Sequence, residues 1–359
     1  RFTRYCSLFI QEATHMKLSR RQLLTGASYT GLGLIASRFG HPSAQAQTKA
    51  HAQSTMPLPM QQAWKINVQF AGLLLADSMG LYADENIALT LKPWESGVVV
   101  PEVVAQNPEI IGCAEQNLVL AAQAEGAPIK AVATMFQASP LGLMSLPSAE
   151  INTLADLAGK KVGVHVDGIA VMELVQGASD IETGAIEVVE IPYENKFEQL
   201  LSGELAAIQC YAVDEPIAFT AQAETVPNVL KLADYGYEAY AQVILANNSL
   251  NETAPEQLKS FLQATYSGWA MALEDMPAAA ATVVESYVEP DSKYENIAYQ
   301  TESLGLIAEY MLLGIEPTAL GTIDSDRWMR MAQRFADYNI IETAPTLEAS
   351  FSPDFWPIS

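Results

Sequence analysis

The stretch LADLAGKKVGVHVDGIAVMELVQG, residues 154–177, contains a complete strand between two helical segments. Residues 154–157 predict a short helix, residues 161–165 an apolar strand, and residues 168–177 a second helix. A strand followed at once by a helix is the repeating unit of a parallel sheet with helices packed against it. This stretch therefore indicates an α/β protein.

The same alternation continues on both sides of this stretch, with predicted helices between the strands. From residue 255 to the C-terminus the pattern becomes helical. We therefore expect two lobes, each a mostly parallel sheet flanked by helices, and a helical C-terminal region. The other predicted strands are residues 64–68, 87–91, 110–113, 129–136, 186–191 and 206–211.

Composition excludes several classes of function. The 359 residues include 19 Lys plus Arg and 42 Asp plus Glu, for a formal net charge of −23, which argues against binding to nucleic acid. Three cysteines cannot form a disulfide framework or a zinc site with four cysteine ligands. The chain has only four histidines. We expect no catalytic residue, no metal and no cofactor. Cys113 and Cys210, which end apolar segments, are predicted to be free and buried.

The N-terminal residues resemble an export signal. Arg20-Arg21 precedes an apolar, glycine-rich run, and Ala44-Gln45-Ala46 has the pattern of a cleavage site. We interpret residues 1–46 as a leader, in which residues 16–46 form a twin-arginine-type signal and residues 1–15 are upstream sequence. A short membrane anchor is the alternative. This interpretation places the mature protein in the periplasm.

After the leader, 13 basic and 41 acidic residues remain. No arginine occurs from residue 39 to residue 326, although arginine is the side chain best suited to binding carboxylate, sulfonate or phosphate groups through two hydrogen bonds. This absence argues against an anionic ligand. Residues 47–61 are polar and contain prolines, so we expect a flexible lead-in there.

Several segments resemble the periplasmic substrate-binding proteins of ABC importers, in the group related to sulfonate-binding proteins and thiamine-pyrimidine-precursor synthases. The resemblance implies a type II periplasmic binding fold. Lobe one would comprise residues 62–142 and 243–359, and lobe two residues 143–242, with the ligand between them. It also implies a monomer that delivers its ligand to the importer's membrane subunits. The segments that carry it are residues 67–72, 80–82, 114–116, 124–128, 137–140, 154–164, 201–204, 211–216 and 261–269.

The candidate ligand-binding residues are polar or aromatic and stand near predicted strand ends or helix starts. Aromatic rings can stack on a planar heterocycle, although core packing is the alternative for each ring except Trp94, which lies in a predicted loop. Carboxylates and amides can accept hydrogen bonds from an amino-heterocycle. The candidates are Asn67, Gln69, Phe70, Trp94, Glu115, Gln137, His165, Asp167, Tyr193, Tyr211 and Glu215.

Three of these positions have alternatives that the sequence leaves open. His165 could donate a hydrogen bond to a ligand or could be an exposed loop residue. Asp167 could face the ligand or cap a helix. Asp214-Glu215 could be an acid/base pair, but capping of the helix that starts at Pro216 is the interpretation we favour.

The sequence therefore predicts a periplasmic binding protein that captures a small neutral or cationic aromatic heterocycle, such as a pyrimidine precursor of thiamine or a flavin, by closure of two lobes. A small anion such as a sulfonate, nitrate or bicarbonate is the alternative ligand. An enzyme of the pyrimidine-precursor synthase type is a further alternative, but the resemblance implies a cysteine-rich cluster that this chain lacks. A third is a ligand-responsive partner of a membrane sensor.

Overall fold

The computed structural model describes residues 55–193 and 196–355, and ten strands lie within them. They form two sheets of five strands each. The strands are β1 Met56–Gln61, β2 Ile87–Lys92, β3 Ile111–Ala114, β4 Ile129–Phe136, β5 Leu141–Ser145, β6 Lys161–Val164, β7 Glu187–Glu190, β8 Ala207–Tyr211, β9 Asn228–Lys231 and β10 Ala241–Asn247.

Helices connect these strands and make up most of the C-terminal region. The α-helices are α1 Ala71–Ser78, α2 Leu81–Asp84, α3 Val100–Gln106, α4 Gln116–Ala124, α5 Val166–Ala178, α6 Lys196–Leu201, α7 Glu215–Ala223, α8 Asn248–Thr253, α9 Pro255–Glu274, α10 Met276–Tyr287, α11 Ile297–Met311, α12 Ser325–Asp337 and α13 Leu347–Ser350.

The two sheets share one topology. The first has the order β2-β1-β3-β10-β4 and the second β7-β6-β8-β5-β9. In each, the three strands on one side are parallel, while the strand that follows a chain crossing, β10 or β5, runs antiparallel to both neighbours. The predicted two-lobed α/β fold is confirmed, with sheets that are mixed rather than mostly parallel.

The first strand differs from the prediction. It lies at Met56–Gln61, within the expected flexible lead-in, whereas residues 64–68 form bends and the start of a short 3-10 helix. Pro57 and Pro59, which lack an N–H donor, are compatible with this strand because the Met56 N–H points toward β2. The two prolines therefore face the β3 side, where pairing begins only at Met60.

The predicted leader, residues 1–46, and the start of the lead-in lie outside the described residues. The chain passes from the first sheet to the second at residues 137–140, and it returns at residues 232–240. Residues 141 and 142, which we expected in lobe one, belong to β5 of the second sheet. Among the described helices, none combines the length and the apolar character needed to cross a membrane.

The C-terminal region does not pack on the first lobe alone. Trp328 and Phe335 of α12 lie in the same hydrophobic cluster as Val171 and Leu174 of α5, which follows β6 of the second sheet. Tyr237, in the second crossing, packs edge-on against Phe335 with ring centroids 6.4 Å apart. Helix α12 therefore spans both lobes on the side of the crossings, unlike the assignment of residues 243–359 to lobe one.

Helices α1 and α9 pack closely through glycine. A Cβ atom on Gly268 of α9 would lie 2.1 Å from the carbonyl oxygen of Gly72 in α1 and 2.9 Å from the backbone nitrogen of Ala76. Backbone atoms cannot move aside as a side chain can, so this contact requires glycine. Trp269, which is fully buried, packs against the same glycine of α1.

We expect Gly268→Ala to lower the free energy of unfolding by about 2–3 kcal/mol or more, because the added methyl group would force α1 and α9 apart. Gly305→Ala in α11 is the matched control, since nothing lies within 4 Å of the added Cβ. That change should leave stability equal or up to about 1 kcal/mol higher, through the better helix propensity of alanine. Urea unfolding of both variants measures the difference. Equal effects would contradict the close packing.

Candidate functional site

A cavity of about 270 Å³ lies between the two sheets, at the carboxyl ends of their parallel strands. In each sheet the three parallel strands lead into loops or helix starts that line it. Because parallel strands end at the same edge, residues far apart in sequence converge there. The residues that follow β1, β2, β3, β6 and β7, and the one that ends β8, are Trp64, Trp94, Glu115, His165, Tyr193 and Tyr211.

Three aromatic rings from the two lobes pack against one another at this cavity, and we call Trp64, Trp94 and Tyr193 the aromatic trio. The ring centroids of Trp64 and Trp94 are 4.6 Å apart, and Tyr193 lies 5.0 Å from Trp64 and 5.5 Å from Trp94. The Trp64 indole N–H donates to the hydroxyl of Tyr294 at 2.8 Å. These distances are those of favourable aromatic pairs.

A buried ammonium group forms the polar centre of the second lobe. Lys196 Nζ lies 2.6 Å from Glu215 Oε1 and donates to the carbonyl oxygen of Gln209 at 3.0 Å. Burial alone raises the pKa of Glu215, but Lys196 and Lys293 more than offset this effect and lower the pKa to about 2. Glu215 is therefore ionised, and its charge neutralises that of Lys196.

His165 completes this network as a neutral side chain. Its Nε2 lies 3.1 Å from Lys196 Nζ and its Nδ1 lies 3.2 Å from the carbonyl oxygen of Ile191. Since the ammonium can only donate, Nε2 must accept and Nδ1 must carry the proton. Burial and the charge of Lys196 lower the pKa of His165 to about 4. Its ring stacks on Tyr193 with centroids 4.1 Å apart, so the network supports the aromatic trio.

Glu115 stands where the two lobes meet. Its carboxylate accepts hydrogen bonds from the hydroxyls of Ser139, in the first crossing, and Tyr211, at the end of β8, each at 3.0 Å. Burial raises the pKa of Glu115 to about 7 despite these donors. Near neutral pH the group can therefore either accept a hydrogen bond or donate one.

Two glutamine amides also line the cavity. Gln242 Nε2 donates to Gln69 Oε1 at 3.1 Å, and the Oε1 atom of Gln242 is buried without a partner among the described residues. Gln242 has a φ of 51°, a left-handed conformation that non-glycine residues seldom adopt. The pairing leaves one amide acceptor, on Gln242, and one amide donor, on Gln69.

Acidic side chains predominate in the cavity lining. Among the described residues, four carboxyl groups line it, those of Glu115, Asp167, Asp214 and Glu215, together with one ammonium, that of Lys196. Burial raises the pKa of Asp167, whose carboxylate accepts from the Gln209 amide at 3.2 Å. No arginine lines the cavity among the described residues. A negatively charged ligand would therefore meet more repulsion than attraction.

Asp214 links the lobes on one side of this cavity. Its carboxylate accepts from Lys293 Nζ at 3.1 Å, from the Tyr294 hydroxyl at 3.0 Å and from the Tyr299 hydroxyl. Asp214 follows β8 of the second sheet, whereas these donors lie at or just before α11, which packs against β4 of the first. The carboxylates of Asp214 and Glu215 thus hold cations. Asp214 occupies the N-cap position of α7, but its side chain makes no capping hydrogen bond.

Eight of the eleven candidate residues line the cavity. The other three do not. Asn67 caps a 3-10 helix by accepting from the Gln69 N–H, Phe70 is fully buried in the core, and Gln137 donates to the carbonyl of Thr322. The eight are Gln69, Trp94, Glu115, His165, Asp167, Tyr193, Tyr211 and Glu215. The idea that His165 is an exposed loop residue is wrong, since it is 3% exposed.

Sequence reasoning missed several residues of this lining. Trp64 falls within the predicted strand 64–68, whereas in the structure it follows β1, a strand that contains two prolines. Lys196 is absent from the candidate residues. A lone lysine between Tyr193 and an apolar helix, in a chain so poor in basic residues, was the available signal. Gln209 and Gln242 carry no sequence signal, because only the fold brings them to the cavity.

The described residues contain no cluster of His, Cys, Asp and Glu arranged to hold a metal. Cys113 lies in β3 of the first sheet and Cys210 in β8 of the second, and both are buried and free, as predicted. Burial raises the pKa of the Cys113 thiol to about 12, which leaves it protonated and unreactive.

Comparison with known proteins identifies related sequences. The family model "NMT1/THI5 like" matches residues 67–280. The riboflavin-binding protein RibY of Chloroflexus aurantiacus is 22% identical over 332 residues, which cover 88% of this chain and 91% of that protein. The 4-amino-5-hydroxymethyl-2-methylpyrimidine phosphate synthase of Legionella pneumophila is 25% identical over 217 residues, covering 59% of this chain and 67% of that protein.

Solved structures share the fold at low identity. The alkanesulfonate-binding protein SsuA of Xanthomonas axonopodis pv. citri, bound to MOPS, superposes with a TM-score of 0.64 and 14% identity over 84% of this chain and 99% of that chain. The aliphatic sulphonate binding protein SsuA of Escherichia coli gives 0.63 and 14%, over 83% and 92%. The fold is thus that of ABC-type periplasmic binding proteins, as the sequence predicted.

The buried ion pair between Lys196 and Glu215 leads to a prediction about stability. We expect Lys196→Met to lower the free energy of unfolding by about 3–5 kcal/mol, because Glu215 would be left buried without its counter-ion. The double variant Lys196→Met/Glu215→Gln removes both charges and should recover a large part of that loss. Urea unfolding near pH 7 measures both. A double variant no more stable than the single one would contradict a charge-based effect.

A pH prediction follows from Glu115. In the folded protein this carboxyl keeps its proton up to about pH 7, whereas its usual pKa is 4.5. The stability of the wild type relative to Glu115→Gln should therefore be greatest below pH 4.5 and should fall as the pH rises to about 7. Because the other titrating groups are common to both proteins, the difference between their unfolding curves isolates Glu115. A difference that is independent of pH would contradict the raised pKa.

Proposed function

Because the chain belongs to the NMT1/THI5-like family, we propose that it is the periplasmic ligand-binding component of an ABC importer and that it captures a small neutral or cationic aromatic heterocycle. The single observation that carries this proposal is the cavity lining. Its described residues combine three mutually packed aromatic rings with four carboxyl groups and one ammonium, which is already paired with Glu215.

The aromatic trio supports a planar ligand. A flat ring that enters between Trp64, Trp94 and Tyr193 replaces contacts between protein rings by contacts with the ligand. Each such stacking contact contributes about 0.5–1.5 kcal/mol beyond the burial of apolar area. Since Tyr193 belongs to the second lobe and the two tryptophans to the first, a ring held between them would also draw the lobes together.

The amide groups supply a hydrogen-bonding edge for such a ring. Gln69 offers an N–H donor and Gln242 an unpartnered carbonyl acceptor, and Glu115 can act in either sense near pH 7. A heterocycle with a donor and an acceptor next to each other, as in an aminopyrimidine or the pyrimidine ring of a flavin, is complementary to this pair. The same pair offers little to nitrate or bicarbonate, which present acceptors on several sides.

The names of relatives agree with this class of ligand. The relative that matches both lobes over most of its length is named a riboflavin-binding protein, and the shorter match is named for a pyrimidine phosphate. For the anion alternative, the SsuA structures share only the fold. A sulfonate in this cavity would have to compete with Glu215 for Lys196.

The enzyme alternative has less support. Cys113 and Cys210 lie in different sheets and are buried as protonated thiols. Export by the leader at residues 1–46 would place the protein in the periplasm, with the membrane subunits of an importer as its partners. A protein that instead signals to a membrane sensor would also be recognised by its partner in the closed, ligand-bound form.

The first experiment is a thermal-shift panel on the purified protein. Aminopyrimidines, flavins and thiamine are compared with alkanesulfonates, nitrate and bicarbonate. A ligand at 100 times its Kd should stabilise the protein by about 2.7 kcal/mol, which raises Tm by several degrees. We expect shifts with heterocycles. Shifts with anions alone would overturn the proposal.

For the heterocycle that gives the largest shift, we expect Trp94→Ala to weaken binding by about tenfold, because one stacking surface is lost. Trp94→Phe is the matched control, since it keeps an aromatic ring and should lose less than threefold. Isothermal titration measures both Kd values. An alanine variant that binds as well as the wild type would contradict stacking on Trp94.

A further inference from the structure

A second cavity, of about 480 Å³, adjoins the first. Five residues line both cavities and so form the partition between them: the aromatic trio together with Lys196 and Glu215. The second cavity is also lined by Lys65 and by residues 289–294, the segment that joins α10 to α11. Both lobes contribute to it, since Phe197 of α6 and Gln222 of α7 complete the lining.

The chemistry of the second cavity differs from that of the first. The trio, Phe197 and Tyr294 supply aromatic surface, while Glu289, Asp291 and Ser292 supply polar groups. The cavity therefore combines aromatic surface with a run of hydrogen-bonding groups in one short segment. It suits a chain that is polar along its length.

The charges in this cavity favour an uncharged chain. Of its lysines, Lys196 is paired with Glu215 and Lys293 with Asp214, which leaves Lys65 to balance Glu198, Glu289 and Asp291. Carboxylates accept hydrogen bonds from hydroxyl groups and form stronger bonds than neutral acceptors do. A phosphate at the same place would be repelled by them.

We propose that the second cavity binds the uncharged, hydroxyl-bearing chain of a ligand whose planar ring lies in the first cavity, so that the chain and ring are held on opposite sides of the aromatic trio. This inference rests on the proposed function, and it narrows the ligand class to a heterocycle that carries a polyhydroxylated substituent. A bare pyrimidine would fill only the first cavity.

Three commercially available flavins test the proposal by isothermal titration on the full protein. Lumiflavin has the same ring with a methyl group in place of the chain, riboflavin carries a chain with four hydroxyl groups, and FMN adds a phosphate to that chain. We expect riboflavin to bind at least about tenfold more tightly than lumiflavin, through hydrogen bonds to the carboxylates. FMN should bind at least about tenfold more weakly than riboflavin, through charge repulsion.

A double variant tests whether the gain in affinity from the hydroxyl-bearing chain arises in the second cavity. Glu289→Gln/Asp291→Asn keeps the shape of both side chains, and asparagine tolerates the φ of 61° at position 291. We expect it to weaken the binding of riboflavin about tenfold and to leave the binding of lumiflavin unchanged. Glu285→Gln, an exposed position in the preceding helix that lines neither cavity, is the matched control and should change neither affinity.

The outcomes separate this inference from the function on which it rests. Equal affinities for lumiflavin and riboflavin, tighter binding of FMN, or an unaltered riboflavin affinity in the double variant would each overturn the inference while the binding of heterocycles stood. Binding of aminopyrimidines without any flavin would do the same. Failure of every heterocycle to bind would instead overturn the proposed function.

Discussion

Each sheet receives one strand from the chain that has just crossed from the other sheet. Strand β5 enters the second sheet after residues 137–140, and β10 returns to the first after residues 232–240. Both insert antiparallel between a parallel strand and an edge strand. This arrangement ties the lobes at two adjacent crossings and directs the carboxyl ends of β1–β3 and β6–β8 toward one cleft. Every proposed contact with a ligand depends on that convergence.

Electrostatics then decides what the cleft can hold. Within the described part of the chain, one ammonium, that of Lys196, lines the first cavity, and Glu215 holds it. The imidazole of His165 beside it is neutral because burial and Lys196 lower its pKa. The remaining carboxyl groups have raised pKa values where burial dominates, as at Glu115 and Asp167. A binding site that neutralises its own cation and protonates part of its acids is arranged for hydrogen bonding to an uncharged molecule rather than for holding an anion.

Much of this site could be predicted from the sequence because it follows a topological rule. Trp94, Glu115 and His165 were selected since each follows a predicted strand, and the carboxyl ends of parallel strands share an edge. Asn67 and Phe70 failed because the first strand was placed eight residues too late, at residues 64–68 instead of 56–61. Its two prolines argued against a strand, and only the late start of pairing with β3 makes them acceptable.

The sequence could not reveal contacts that form only after the chain has crossed between the two sheets and returned. Strand β10 is buried throughout, and the short apolar run that forms its centre cannot distinguish a buried strand from a buried helix. Gln242, near its start, gave no reason to expect a ligand contact. Likewise, Lys293 and Tyr294 meet Asp214 only because α11 packs beside α7. Such residues become visible once the lobes are placed together.

The two cavities are connected by hydrogen bonds as well as by shared walls. The Tyr294 hydroxyl accepts from Trp64 of the trio and donates to Asp214, while Glu215, the next residue, holds Lys196 and through it His165, on which Tyr193 stacks. A group that contacts residues 289–294 therefore acts on a segment bonded directly to a ring of the trio. Because this series of contacts crosses from the first lobe to the second at the Tyr294–Asp214 hydrogen bond, ring stacking in one cavity and chain binding in the other would stabilise the same closed arrangement. A ligand with both parts would gain from each.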